Sequence, residues 1–404
     1  MVGKQNWWQL SSVVIGGLLC LPVIMIGQTL SQIYGFSTAI ISILAGNAIL
    51  LFLGIFTAKM SCERRKTTME NAVDYFGQTG VVFFSLSMIF VCLGWFAIQL
   101  NVMSIAVVDL LSIQSSKPAW TLVFDVGLGL AIIMTAVRGI KALNLLANLS
   151  LPLLVGTLGY GLFSVERSTI VSVEPSLSWG GVSVIIAMAI TMIIDLPTYF
   201  RHAVSQRDGL ISIVLIFAVA LPIMEIAGVY LASGVSEGTI LDVLKMNHGH
   251  IWNIWIAVFL VLAGWTTNNL NLYSASVSLG VVAKSSSMEA RTWMIGCFGT
   301  LLACFDVLSH LVSVLNTIGV LISSMGAVII TRYILEQLSG IPVTARDQSK
   351  HLIAWAMGLL FGFCGMNGLS LTNISGLDAM IGAALGTLST LYKEVPFYEK
   401  INVR

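Results

Sequence analysis

Apolar residues fall along the chain in long blocks separated by short polar stretches. A membrane-crossing helix needs about 20 apolar residues. Blocks of roughly that length recur at 11–34, 36–58, 81–111, 119–137, 140–163, 182–200, 209–234, 250–280, 291–306, 308–335, 350–364 and 374–392. The pattern predicts an all-α polytopic membrane protein of about twelve transmembrane helices. The least defined are 291–306, 350–364 and the joint near Asp306. Helix is the expected form, because hydrocarbon cannot satisfy the open edge of a sheet. Only Lys4 precedes the first block as a charge, and that block runs straight into the second. It is longer than a signal-peptide core and reads as a true first span.

Lysine and arginine set the expected orientation. With a cytoplasmic N-terminus, 17 of the 20 fall on the cytoplasmic side, leaving Lys117, Arg167 and Lys245 outside. A miscounted helix would scramble this bias. Both termini are then cytoplasmic. Composition agrees with lipid as the solvent: only 10% of residues are charged and 57% are hydrophobic, against roughly 25% charged in soluble proteins. A net charge of +1 with no basic stripe offers nothing to nucleic acid. The longest polar stretches, 59–80, 164–181 and 335–349, are too short for an ATPase or kinase module, and no GxxxxGK[ST] occurs. HExxH is also absent, so a transporter rather than an enzyme is expected. Cys20, Cys62, Cys92, Cys297, Cys304 and Cys364 lack metal or disulfide spacing. They read as buried apolar thiols, with Cys62 in a cytoplasmic loop.

Two spans look interrupted. The first runs Gly16-Gly17-Leu18-Leu19-Cys20-Leu21-Pro22. Pro22 lacks an N–H and would free carbonyls around Gly17 to Cys20. The sixth runs from Ala187 through Thr191 to Asp195-Leu196-Pro197. Spans one and six would open two five-helix halves, the arrangement of an inverted repeat with its site at the breaks. Ordinary proline kinks would leave the same sequence.

Polar residues at membrane depth supply the candidate chemistry. In the third span Trp95 and Gln99 are four apart and share a helix face. Trp offers a flat ring and Gln both a donor and an acceptor, which suits a planar heterocycle with amide-like edges. The eighth span carries Trp265-Thr266-Thr267-Asn268-Asn269 and then Asn271, Tyr273 and Ser274. So many polar side chains must face protein or a wet cavity. Adjacent threonine hydroxyls are hard ligands for a small cation, although Thr and Asn also tie helices together. Asp125 and Glu225 lack an obvious partner and are candidate proton carriers. Asn47, Asn144, Asn148 and Asn316 read as helix bridges, and His310 as a boundary residue.

Gly94-Trp95-Phe96, the stretch from Asp195 to Arg201, Trp265-Thr266-Thr267-Asn268 with Leu272-Tyr273, Gly35-Phe36-Ser37 and Gly46-Asn47 together resemble the nucleobase–cation symporter-1 family. Its cytosine, hydroxymethylpyrimidine and purine permeases are the nearest in pattern. The resemblance implies a LeuT-type fold. One five-helix repeat would cover 11–163 and an inverted repeat 182–335, with two further helices at 350–392. It implies that Trp95 stacks on the substrate and that Gln99 and Asn268 bond it. Thr266 and Thr267 would bind sodium with backbone oxygens of Gly17, Cys20 and Ala263. Cys92, Ala263 and Ala187 stand where cytosine permeases carry Gln, Asn and an aromatic, with Thr191 one turn beyond Ala187, so the substrate need not be cytosine. The expectation is sodium-coupled uptake of a nucleobase-like heterocycle by a monomer in a bacterial inner membrane, with no cofactor beyond the coupling ion. A proton could replace sodium, and a proton-coupled amine or amino-acid transporter on the same fold is the alternative.

Overall fold

The computed structural model describes residues 4–18, 20–111, 117–138, 175–232, 249–305, 311–340 and 345–391, with separate positions between 145 and 160. Twelve helices have defined bounds among them. These are α1 (Trp7–Leu18), α2 (Leu21–Tyr34), α3 (Phe36–Arg64), α4 (Thr68–Leu110), α5 (Lys117–Ala136) and α6 (Trp179–Phe200). After them come α7 (Gln206–Ala232), α8 (Gly249–Val282), α9 (Met288–Ala303), α10 (Leu311–Ser339), α11 (Ala345–Met366) and α12 (Ser375–Leu391). Within α7 the stretch Leu215–Ala220 is π-helical. Among the described residues, seven helices are long and apolar enough to cross a membrane alone, and α1 with α2 makes an eighth, bent span. With 16 and 17 residues, α9 and α12 fall short of that length, and α11 opens on polar residues that include Asp347. The block at 140–163 lies mostly outside the described residues, as do Asn144, Asp306 and His310. Large apolar side chains face outward, among them Phe52 (61% exposed) and Phe298 (51%). Such a surface needs lipid as its solvent.

Two helix boundaries differ from the hydrophobic blocks. α3 continues to Arg64, so Cys62 is a buried helical residue and not a loop thiol. Cys297 is exposed on the outer surface and Cys304 and Cys364 are half-buried, so burial does not extend to every thiol. α4 starts at Thr68 and not near 81, because Thr67 and Glu70 form a reciprocal capping box. Glu70 N–H donates to Thr67 Oγ1 (3.0 Å) and Thr67 N–H to Glu70 Oε2 (2.6 Å). A left-handed Gly77 (φ 70°) then breaks α4 into a short polar arm and the long spanning part. Hydropathy registers only the second part.

Apart from α10–α12, which pack chiefly on one another, the helices form two groups. One joins α3 with α6, α2 with α7, and α3 with α7; the other joins α4, α5, α8 and α9. The second group has its own apolar core, built from residues such as Phe96, Ile132, Leu272 and Ile295. α1 touches both groups, packing on α7 and on α8. The crossing of α2 and α7 is closest at two glycines. A Cβ on Gly27 would lie 1.8 Å from the Glu225 carbonyl oxygen, and one on Gly228 1.9 Å from that of Ile24. Backbone therefore rests on backbone there.

At the end predicted to be cytoplasmic, charges pair off. Arg64 reaches Glu336 and Asp74 and stacks over the rings of Tyr75 and Tyr333. The segment before α1 is strapped to the turn after α6. Gln5 N–H donates to the His202 carbonyl (2.7 Å), Val204 N–H to the Gln5 carbonyl (2.8 Å), and Trp7 N–H to Asp208 Oδ1 (3.0 Å). Burial and the neighbouring Arg201 and Arg65 push the His202 imidazole down to about 4, so it is neutral in this strap.

Candidate functional site

The site begins where α1 stops. α1 ends at Leu18 and α2 starts at Leu21, bent by 62°. Pro22 sits in the first turn of α2, where a missing N–H is harmless. Cys20 is extended (φ −136°, ψ 156°) and caps α2, its carbonyl accepting from Val23 N–H at 3.2 Å. A helix that ends leaves its last carbonyls without helical donors. In α1 those carbonyls meet α8. Thr266 Oγ1 donates toward the Gly16 carbonyl (2.7 Å) and the Ala263 carbonyl (2.8 Å). Thr267 Oγ1 does the same toward Gly17 (2.7 Å) and Ala263 (3.0 Å). Each hydroxyl has one proton for two acceptors. Two hydroxyls and three carbonyls therefore converge, an all-oxygen cluster of the kind a hard cation accepts.

Beside this cluster lies a cavity of about 70 Å³. Gly17, Cys20 and Val23 line it from the broken span, Cys92 and Trp95 from α4, Met188, Thr191, Asp195 and Tyr199 from α6, and Thr267, Asn271 and Ser274 from α8. Trp95 is half-buried, so part of its ring faces open space. The Thr191 hydroxyl is buried and has no partner. Among the lining residues Asp195 carries the one carboxylate, and none is basic. It is 4% exposed. Thr198 donates to its Oδ1 (2.7 Å) and Ser274 to its Oδ2, while Thr198 also meets Thr68 at 3.0 Å. The carboxylate thus ties α6 to α4 and α8 and keeps lone pairs for a further donor.

The other expected residues divide. Gln99 is buried just behind the cavity; its amide nitrogen has no partner and its side chain is within reach of the Cys20 thiol. That thiol also meets Thr267. Asn268 does not line the cavity. Its amide donates to the Phe96 carbonyl (3.1 Å) and its oxygen accepts from Asn271 at 3.4 Å. Ala187 packs toward Gly319 of α10. Asp195, Tyr199, Met188, Asn271 and Ser274 were not foreseen as site residues. Helical spacing carried a signal for them: Thr191 and Asp195 share one face of α6, and Thr267, Asn271 and Ser274 one face of α8. Neither candidate proton carrier reaches the cavity. Asn101 Nδ2 donates to Asp125 Oδ2 at 3.3 Å, and Asn47 Nδ2 to Glu225 Oε2 at 2.5 Å. Asn47 thereby bridges α3 and α7, as expected of it.

No family model matches the sequence, and no curated protein does. Solved structures are similar over nearly the whole chain. A closed, bromovinylhydantoin-bound structure of Mhp1, a nucleobase-cation-symport-1 family transporter, has a TM-score of 0.77 at 15% identity. It covers 97% of this chain and 94% of its own. A substrate-bound, outward-open Na⁺-coupled sialic acid symporter has a TM-score of 0.70 at 15% identity, with 97% and 90% covered. MhsT in complex with L-phenylalanine has a TM-score of 0.63 at 15% identity, with 96% and 99% covered. At such identity it is the fold that is shared. The chain is an all-helical polytopic membrane protein with the LeuT-type fold.

Proposed function

We propose that this protein is a secondary active transporter, and not an enzyme, that couples uptake of a planar nucleobase-like heterocycle to sodium. The observation that carries the reading is the convergence of Thr266 and Thr267 with the free carbonyls of Gly16 and Gly17, beside a cavity that holds Trp95. Sodium at that cluster would join the broken span to α8, and so one helix group to the other. Substrate would stack on Trp95 and bond Thr191 and Asp195, with Gln99 behind. Rocking of the α2–α3–α6–α7 group against the α4–α5–α8–α9 group would then move the site between the two sides. One net charge moved with a neutral substrate is worth about 2.3 kcal/mol per 100 mV. That allows accumulation of about 50-fold without ATP. The Na⁺-coupled sialic acid symporter and the nucleobase-cation-symport-1 transporter among the similar folds support cation coupling. The repeats at 11–163 and 182–335, the two helices at 350–392, the cytoplasmic termini and the bacterial inner membrane belong to the same reading.

Replacing Trp95 with alanine removes the stacking surface and leaves the oxygen cluster intact. Aromatic stacking on a base contributes roughly 1–3 kcal/mol. Substrate affinity should fall about tenfold or more while sodium affinity holds, as measured by equilibrium binding of labelled substrate. Wild-type affinity in that variant would remove the stacking role.

Asp195 favours a second reading, in which the cargo carries an amine. A carboxylate in a membrane cavity suits a cationic or donor-rich group. Asp195→Asn keeps the shape, removes the charge and turns one acceptor oxygen into a donating NH2. An ammonium substrate should then lose nearly all binding. A neutral aminoheterocycle should lose about tenfold, since hydrogen bonds to charged groups contribute roughly 1.5–3 kcal/mol. Transport assays on both substrate types separate the readings.

A further inference from the structure

Glu225 lies in α7 with 0% exposure, and Asn47 of α3 with 2%. The Asn47 amide spends its hydrogens on Glu225 Oε2 (2.5 Å) and on the Ile43 carbonyl (3.0 Å). Two buried oxygens remain without partners: Asn47 Oδ1 and Glu225 Oε1. If Glu225 were ionised, both would be pure acceptors and the carboxylate would stand in the membrane with a single donor.

Among the described residues no counter-charge is within reach on the elements packed around it. α2 contains no Asp, Glu, Lys, Arg or His. The first charged residue of α3 beyond Asn47 is Lys59, about 18 Å further along the helix at 1.5 Å per residue. Arg207 and Asp208 lie at the far end of α7. One proton resolves both vacancies together. A hydroxyl on Glu225 Oε1 can donate to Asn47 Oδ1 while Asn47 Nδ2 still donates to Oε2, which makes a cyclic acid–amide pair.

The surroundings link this pair to the site. The glycine crossing sets Gly27 of α2 directly on the Glu225 carbonyl, and Gly228 on that of Ile24. α2 is the continuation of the broken span whose other half carries Gly16 and Gly17. If α2 lifts from α7, the turn holding Glu225 is uncovered.

We propose that Glu225 and Asn47 form a proton-binding site, filled in this arrangement, whose emptying loosens α2 from α7. Occupancy by the proton does not depend on the transport reading; a place for its release in a transport cycle does.

Glu225→Gln is the test, because glutamine replaces the acid O–H with an amide N–H and preserves both bonds without a proton. Infrared spectra of the full-length protein at neutral pH should contain a protonated-carboxyl band that shifts in heavy water and is missing from E225Q. Asn47→Leu, which leaves the acid without its amide partner, should move that band to higher frequency. A proton bound only by the folded state stabilises it at low pH and ceases to do so as pH rises. Between about pH 6 and pH 9, the melting temperature of the wild type should therefore fall more than that of E225Q. Amide exchange across Leu21–Tyr34 should be equal in the two proteins at neutral pH and faster in the wild type at alkaline pH. A band that survives in E225Q, or one unmoved by Asn47→Leu, overturns the site. Matching exchange in α2 at both pH values overturns its link to the crossing. None of these readouts needs substrate or sodium, so failure of the transport reading would leave them unchanged.

Discussion

Gly228→Ala is expected to lower the stability of this protein strongly, as Gly27→Ala should from the other side of the same crossing. The new Cβ would sit 1.9 Å from the carbonyl oxygen of Ile24 and 2.9 Å from its carbon. Those atoms are backbone inside α2, so no rotamer change can relieve the clash; the two helices must separate. Overpacking a tight interior costs roughly 1–3 kcal/mol, occasionally more. Separation here also withdraws α2 from Gly27 and from the turn of Glu225, so the upper part of that range or beyond is expected. Gly127→Ala is the control, since nothing lies within 4 Å of its Cβ position. Alanine there should be neutral or slightly stabilising, because it narrows the unfolded ensemble. Melting temperature and monodisperse yield after extraction measure both. Equal behaviour of the two variants would mean that α2 and α7 do not touch through these glycines. Gly17→Ala falls between the two, because its Cβ meets only the Leu270 side-chain terminus at 2.5 Å, which can turn away.

Thr267→Ala should produce the largest functional loss at constant fold. Its hydroxyl reaches the Gly17 and Ala263 carbonyls and the Cys20 thiol, and it also lines the cavity. Removing it deletes one oxygen of the proposed cation shell and a strut between α1 and α8. Contacts to a charged group contribute roughly 1.5–3 kcal/mol, and 1.4 kcal/mol is a factor of ten. The sodium concentration for half-maximal uptake should therefore rise about tenfold or more. Thr267→Ser restores the hydroxyl and should return most of the affinity, which a purely structural methyl contact would not allow. Sodium activation unchanged in Thr267→Ala would move the ion elsewhere.

Much of the architecture was legible in the order of residues. Pro22 after Gly16-Gly17 marked the break, and the break stands between Leu18 and Leu21; the interruption expected in the sixth span is not there, since α6 runs helical from Trp179 to Phe200 with Pro197 inside its last turn. The threonine pair stood out because adjacent hydroxyls in an apolar span need acceptors, and the broken carbonyls were the natural source. What could not be read was facing. α8 carries polar residues all round, and its neighbours decide which look into the cavity. Thr267, Asn271 and Ser274 do; Asn268 turns to the Phe96 carbonyl of α4, and Asn269 to Thr135 of α5. Asp195 looked like the polar end of a span because nothing local says that Ser274, distant in sequence, lies opposite it. Gly27 and Gly228 are two of 37 glycines, and only the crossing distinguishes them. The arm of α4 before Gly77 was hidden by its polarity, although the Thr67–Glu70 cap was written in the chain.

The central claim is sodium-coupled recognition of a flat heterocycle at the junction of α1, α4, α6 and α8. Thermal stability of the purified protein against a panel of nucleobases and related heterocycles, each in sodium and in potassium, tests it most directly, because a ligand that binds only the folded state raises apparent stability by mass action. The account predicts stabilisation by at least one planar heterocycle, larger in sodium than in potassium and lost in Trp95→Ala. Stabilisation by amines or amino acids alone, equal in the two salts, would contradict it and leave only the fold.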